Sequence, residues 1–282
     1  MRQMYKSLNC NAIGIKGLSL PDTLTLAQAT GYAGVDFDMR QALALPNIRD
    51  LFAASGIKPA QWGLPVTGPQ SEWGVDLTEL AACAQLAADL GCLRCATWVP
   101  SWSDSREIEP NTAFHIERLT PVARVLADHG VQLGLEFLGP VTLFANHAHP
   151  FIHTMDAMMD MARQIGPNVG LLMDAWHLFT SGAGLGDLAR LSARDIVHVH
   201  ISDAPECVPF DRVIDTQRHL PLETGVLDLP GFLRSLAALG YDGPVVTEPF
   251  NARLNTLAAT NPTAAARQVS AAMDQLWQLA GL

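Results

Sequence analysis

The feature that most constrains the fold is an alternation of two periods. Short apolar runs of strand character recur eight times: "SLNCNAIGI" (7–15), "GVDFDM" (34–39), "KPAQWGLPV" (58–66), "CLRCATWVP" (92–100), "QLGLEFLG" (132–139), "NVGLLMDAW" (168–176), "IVHVHISD" (196–203) and "PVVTEPF" (244–250). Helix-like stretches that close on glycine lie between them, among them 76–91, 111–130 with an Asn cap, 228–240 and 261–281. A helix ending in Gly just before a buried strand is the βα unit of a parallel sheet. Eight such units in about 250 residues predict a closed (β/α)8 barrel. A doubly wound open sheet would need a phosphate loop after its first strand, and no GxGxxG follows "NAIGI". No linker, repeat or low-complexity segment divides 1–282, so one domain is expected; 282 residues, 49% of them hydrophobic, suffice for one large core.

Charge narrows the partners. Lys plus Arg number 18 against 28 Asp plus Glu, for a formal charge of −10, and no basic block occurs. Such a chain is a poor electrostatic match for nucleic acid or an anionic membrane. The N-terminus lacks an apolar leader core, and no apolar run reaches membrane-spanning length. Five cysteines are an odd number, read as reduced, and the expected location is cytoplasmic. Cys92 and Cys95 form a lone CxxC, read as core packing because zinc would need a second pair.

Four of the apolar runs carry a ligand-type residue near the carboxyl end. Strand side chains alternate, so their sides can be read. Leu133, Leu135 and Phe137 face the helices, which turns Glu136 inward. Val197, Val199 and Ile201 do the same, which turns His198, His200 and Ser202 inward. Glu248 shares the inner side with Val246, and Asp174 falls at the same level. Barrel active sites are built at this end. Any one of these acids could be a buried group paired with Arg or backbone. Three carboxylates converging unpaired on a dry floor would repel strongly, and a divalent cation resolves this. Oxygen-rich ligation with one imidazole suits Mn²⁺, Mg²⁺ or Co²⁺, and admits Zn²⁺.

From "GLEFLG" through "MDAWHLFTSG", "HVHISDAP" and "TEPF", the sequence resembles the xylose isomerase-like barrels, the sugar isomerase/epimerase group that includes endonuclease-type members. It looks most like the 2-keto-myo-inositol isomerase-like proteins. The resemblance implies that Glu136, Asp174, His200 and Glu248 bind one metal. It also implies that His177, three residues after Asp174, contacts a substrate oxygen. Arg218 matches a substrate-facing Arg before a "PGEG"-like turn, although the turn here reads "PLETG". Related epimerases place a second acid soon after the first metal Glu; Thr142 stands there, which points away from a strict ketose 3-epimerase.

What the resemblance implies for function is proton transfer on a small polyhydroxy ketone or keto-inositol. A Lewis acid on the carbonyl oxygen and a base beside the C–H make that proton labile. Glu136 and Glu248 are the expected bases. A metal-stabilised enediolate leads to isomerisation or epimerisation. Loss of a β-hydroxyl gives the alternative, a dehydratase of a keto-inositol, dehydroshikimate or an oxidised sugar. An abasic-site endonuclease fits less well, since strands three and four contain no His. A small sugar or cyclitol is the expected partner, and barrels of this group also pair, so a homodimer is an option.

Further residues have expected places. Trp62, Trp98 and Trp102 are candidates to wall a sugar pocket. His147, His149 and His153 read as loop histidines, and His198 as a support beneath His200. Asp203 orients His200 or caps a loop. Lys16 is within possible reach of the mouth. The polar stretch 204–227 is long enough to be a functional loop.

Overall fold

In the computed structural model, which describes residues 3–69 and 71–282, each apolar run supplies one barrel strand. These are β1 (Tyr5–Leu8), β2 (Gly34–Phe37), β3 (Lys58–Gly63), β4 (Arg94–Trp98), β5 (Gln132–Glu136), β6 (Val169–Asp174), β7 (Ile196–Ile201) and β8 (Pro244–Thr247). All neighbouring pairs are parallel, and β1 pairs with both β2 and β8, which closes the barrel in the order β1-β8-β7-β6-β5-β4-β3-β2.

The first strand lies earlier than the sequence indicates. Residues 9–15 form a loop in which Ile13 and Ile15 are buried and Gly14 turns at φ 82°. Their apolar character marks packing over the barrel, not extended backbone. The helix expected over 111–130 also shifts. It spans Ile108–Asp128, so Asn111 lies buried inside it and does not cap it. Pro110 permits the early start, because N–H groups of a first turn have no partner within the helix. Elsewhere the local signals hold. Asp76 accepts from Thr78 and Glu79 N–H at the head of Leu77–Leu90, and Gly91 ends it at φ 72°.

One irregularity positions the site. The β6–β7 register runs Leu171↔Ile196, then Leu172↔His198, so β7 carries one extra residue. Without that bulge Asp174 would stand opposite Val199. With it, Asp174 stands opposite His200. Cys92 and Cys95 are buried free thiols, and burial raises both above the ordinary range. Among the described residues no helix is long and apolar enough to cross a membrane.

Candidate functional site

Glu136, Asp174, His200 and Glu248 stand at the ends of β5, β6 and β7 and just past β8. One ligand atom of each lies within 4.8 Å of all the others. His200 Nδ1 is 3.5 Å from Glu136 Oε1 and 3.4 Å from Glu248 Oε2. Asp174 is fully buried. Its Oδ1 accepts from Trp176 N–H (2.9 Å), and its Oδ2 accepts from Arg218 Nη1 (2.7 Å). Glu136 Oε1 and His200 Nδ1, by contrast, are buried without a hydrogen-bond partner. Unpaired polar atoms converging on one point are what a bound cation would satisfy. Three carboxylates and one imidazole at this spacing fit a divalent ion.

Arg218 aims into the site despite the altered turn. Besides Asp174 it meets Glu248 Oε2 (3.3 Å), Asp215 Oδ1 (2.8 Å) and the Asp215 carbonyl (2.8 Å). Its guanidinium lies 4.9 Å from the Phe250 ring and 5.3 Å from the Trp176 ring. Burial opposes its charge, but Asp174, Asp215 and Glu248 keep it ionised. Asp215 is a site residue the sequence reading missed. It also accepts from Trp176 Nε1 (3.1 Å). Four carboxylates, one guanidinium and a 2+ ion would leave about one net negative charge.

The loop that carries Arg218 is held by Asp203. Its Oδ1 accepts from Ala204 and Leu227 N–H (2.9 and 3.0 Å), its Oδ2 from Thr224 and Gly225 N–H (3.1 and 2.7 Å). Its backbone exchanges two hydrogen bonds with His219, the neighbour of Arg218. Of the two roles expected for Asp203, loop capping is the one the structure has. Leu222 takes the left-handed position in "PLETG" at φ 69°, so the turn survives without a glycine there at a cost of about 1 kcal/mol.

His177 follows Asp174 by three residues on the short helix Ala175–Thr180, which brings both to one side. Burial pushes its imidazole down to about 3, so it is neutral. Gly139 N–H donates to Nδ1 (3.2 Å), and Nε2 lies 3.2 Å from Arg218 Nη2. Nε2 faces Asp215, Asp174 and Glu136 oxygens at 3.7, 3.8 and 4.0 Å. This packing depends on Gly139. A Cβ there would lie 2.4 Å from the His177 carbonyl and 2.8 Å from Ser181 N, both backbone atoms. Gly139→Ala is therefore expected to destabilise the protein by about 2 kcal/mol, read as a lowered thermal midpoint; an unchanged midpoint would show that the backbones give way freely.

Burial is the main influence on Glu136 and lifts it to about 7, against the pull of His200. Burial also works against the charge of Glu248, but His200 and Arg218 outweigh it and hold Glu248 below the usual carboxylate range. Burial would lower His200 as well, yet Glu248 and Glu136 keep it protonated well above an ordinary histidine. A metal ligand must shed its proton. Ion uptake is thus expected to release about two protons near pH 6 and about one near pH 8, as Glu136 ionises unaided above pH 7. Calorimetry of Mn²⁺ binding in buffers of different ionisation enthalpy measures this. Equal release at both pH values would contradict it.

The remaining expected residues are placed as follows. Trp62 is not at the mouth: it is fully buried, and its indole N–H donates to the Cys92 carbonyl (3.3 Å). On β3 it is Gln61, not Trp62, that reaches the mouth cavity. Trp98 is 51% exposed and registers with Glu136 across β4–β5. Trp102 stacks on His147, whose Nδ1 lies 3.0 Å from Asp104. His153 pairs with the Phe151 carbonyl (2.7 Å). Lys16 donates to Asn11 O (3.1 Å), and Thr142 to Val213 O (2.7 Å). His198 lies beneath His200, ring to ring 5.1 Å, with Nε2 2.9 Å from Asp36 Oδ2.

An inosose isomerase of Bacillus velezensis is 27% identical over 168 residues, 59% of this chain and 56% of that protein. The chain thus spans about half the length of the inosose isomerases it matches. A 3-dehydroshikimate dehydratase of Pseudomonas aeruginosa is 32% identical over 103 residues, 36% of this chain and 16% of that one. A xylose isomerase domain protein of Alicyclobacillus acidocaldarius superposes with a TM-score of 0.85 at 28% identity, over 99% of this chain and 100% of that one. The profile of the xylose isomerase-like TIM barrels matches residues 24–276. With that match over most of its length, the chain belongs to the xylose isomerase-like TIM barrel family.

Proposed function

We propose that the chain is a divalent-metal-dependent enzyme that moves a proton on the carbon beside a carbonyl group. The substrate is a small polyhydroxy ketone or keto-inositol, and the outcome is isomerisation or epimerisation. One observation carries this reading: four donors lie within 4.8 Å of one another, and two of their atoms are buried and unpaired. Glu136, Asp174, His200 and Glu248 would hold Mn²⁺, Mg²⁺, Co²⁺ or Zn²⁺, which when bound supplies a Lewis acid for substrate oxygens.

The chain's own side chains do the rest. Glu136 and Glu248 come from different sides of the barrel end, and either carboxylate can take the proton from carbon. Returning it to the neighbouring carbon isomerises the substrate; returning it to the opposite face epimerises it. His177, whose Nε2 lies beside Arg218 Nη2, contacts a substrate oxygen together with that guanidinium. Arg218 adds a fixed positive charge where negative charge develops. The burial of Asp174, His177 and Arg218 keeps water from competing for these contacts.

A dehydratase is the second reading, favoured by the likeness to 3-dehydroshikimate dehydratase. It would use the same base and expel a β-hydroxyl. The test is proton exchange in D2O, with Mn²⁺-loaded protein, over a panel of ketohexoses, inososes and 3-dehydroshikimate. Deuterium entering the carbon beside one of these carbonyls, and exchange lost on chelation, is the expected result. Product NMR then separates isomer, epimer and dehydrated compound. No exchange with any of them by a demonstrably loaded protein would contradict the reading.

A further inference from the structure

A pocket of about 170 Å³ lies beside the carboxyl end of β4, and none of the four metal donors lines it. Its walls come from three parts of the chain. The loop after β3 gives Val66 and Trp73, the end of β4 gives Trp98 and Val99, and the helix Ile108–Asp128 gives His115 and Leu119. No acid, Lys or Arg is among the described lining residues. An apolar cavity of about 150 Å³ takes up one benzene ring, so this volume suits a single aromatic ring.

The walls are held in place. Arg106 Nη2 donates to the Ser71 carbonyl (2.9 Å) and Arg118 Nε to the Trp73 carbonyl (3.1 Å), which ties the loop to the helix. The rings of Trp73 and Phe151 stack on His115 at 5.9 and 5.4 Å. His115 is 3% exposed, and its Nδ1 has no hydrogen-bond partner among the described residues. Burial, with Arg106 and Arg118 nearby, pushes this imidazole down to about 4, so it is neutral at pH 7. A buried ring nitrogen left unpaired in an apolar wall is costly unless a ligand completes it. Trp98, by contrast, is half open to solvent. It registers with Glu136, so its indole stands on the mouth side, one strand from a metal donor. A bare indole face and an unpaired imidazole call for a ligand that is flat and apolar with one polar tip.

We propose that this pocket is a second binding site, for an aromatic ring that carries a hydroxyl group: the ring lies against Trp98, and the hydroxyl forms a hydrogen bond with the His115 imidazole. The ring belongs to a free phenol or to an aryl group on a larger ligand that reaches the mouth past Trp98. The site does not depend on the proposed reaction, since ring binding is measured without turnover.

The probes are phenol, toluene, cyclohexanol and 4-hydroxyphenyl β-D-glucopyranoside, titrated calorimetrically into the full chain. Phenol is expected to bind one per chain, and cyclohexanol, which is not flat, at least tenfold more weakly. Trp98→Ala is expected to weaken phenol at least tenfold. His115→Leu is expected to do the same while leaving toluene within threefold, because toluene makes no hydrogen bond. Should His115→Leu fail to fold, Trp98→Ala decides, since a half-exposed side chain is removed there. The glucoside binding as tightly as phenol assigns the ring to an aryl group on a larger ligand; its exclusion, with phenol still bound, assigns it to a free phenol. Absent phenol binding at millimolar concentration, equal affinity for cyclohexanol, or undiminished phenol affinity in Trp98→Ala would overturn the proposal. Phenol binding as expected in a protein that exchanges no substrate proton would contradict the proposed reaction and leave this site standing.

Discussion

Glu136→Gln and Glu248→Gln are each expected to lower solvent-deuterium exchange beside the substrate carbonyl by about 10³-fold or more. An amide is nearly the same size as the acid but cannot accept a proton from carbon. Both residues are also candidate metal donors, so two causes must be separated. Measuring bound metal in each variant does this: a variant that keeps its ion yet loses exchange has lost a base. If one variant retains both ion and full exchange, that residue is not the base, and the other carries the step alone. Glu136 is the stronger candidate to hold a proton near neutrality, because burial lifts it to about 7.

Asp203→Asn is expected to destabilise the protein by on the order of 3 kcal/mol and to reduce exchange with it. The fully buried carboxylate receives four backbone N–H groups, two on each oxygen. In Asn one of those oxygens becomes an NH2, which then faces two N–H donors. The loop from β7 would loosen, and Arg218 lies next to His219, which that loop holds against the Asp203 backbone. Asp203 thus acts as a positioning residue. Thermal unfolding and the exchange rate are the two readouts. Wild-type values for both would show that the loop is held by other contacts.

The barrel was legible because each strand is an apolar run bounded by helix stop signals, and the donor quartet because each member interrupts such a run on its inner side. What escaped has identifiable causes. Asp36 and Asp38 are two acids on one parity of "GVDFDM", and nothing in the sequence says which meets a partner across the barrel. Asp215 lies in a polar loop without periodicity, and only the folded loop brings it to Arg218 and Trp176. Trp62 has the aromatic character of a pocket wall, yet strand alternation turns Gln61 to the cavity and leaves Trp62 fully buried. The turn at "PLETG" departs from the glycine pattern, yet Asp203 and the left-handed Leu222 preserve its path.

The most direct measurement is an anomalous-scattering map from crystals of the protein grown with Mn²⁺. One peak per chain is expected, within bonding distance of Glu136, Asp174, His200 and Glu248. A map with no peak among these four side chains, in crystals where manganese is bound elsewhere, would contradict the account.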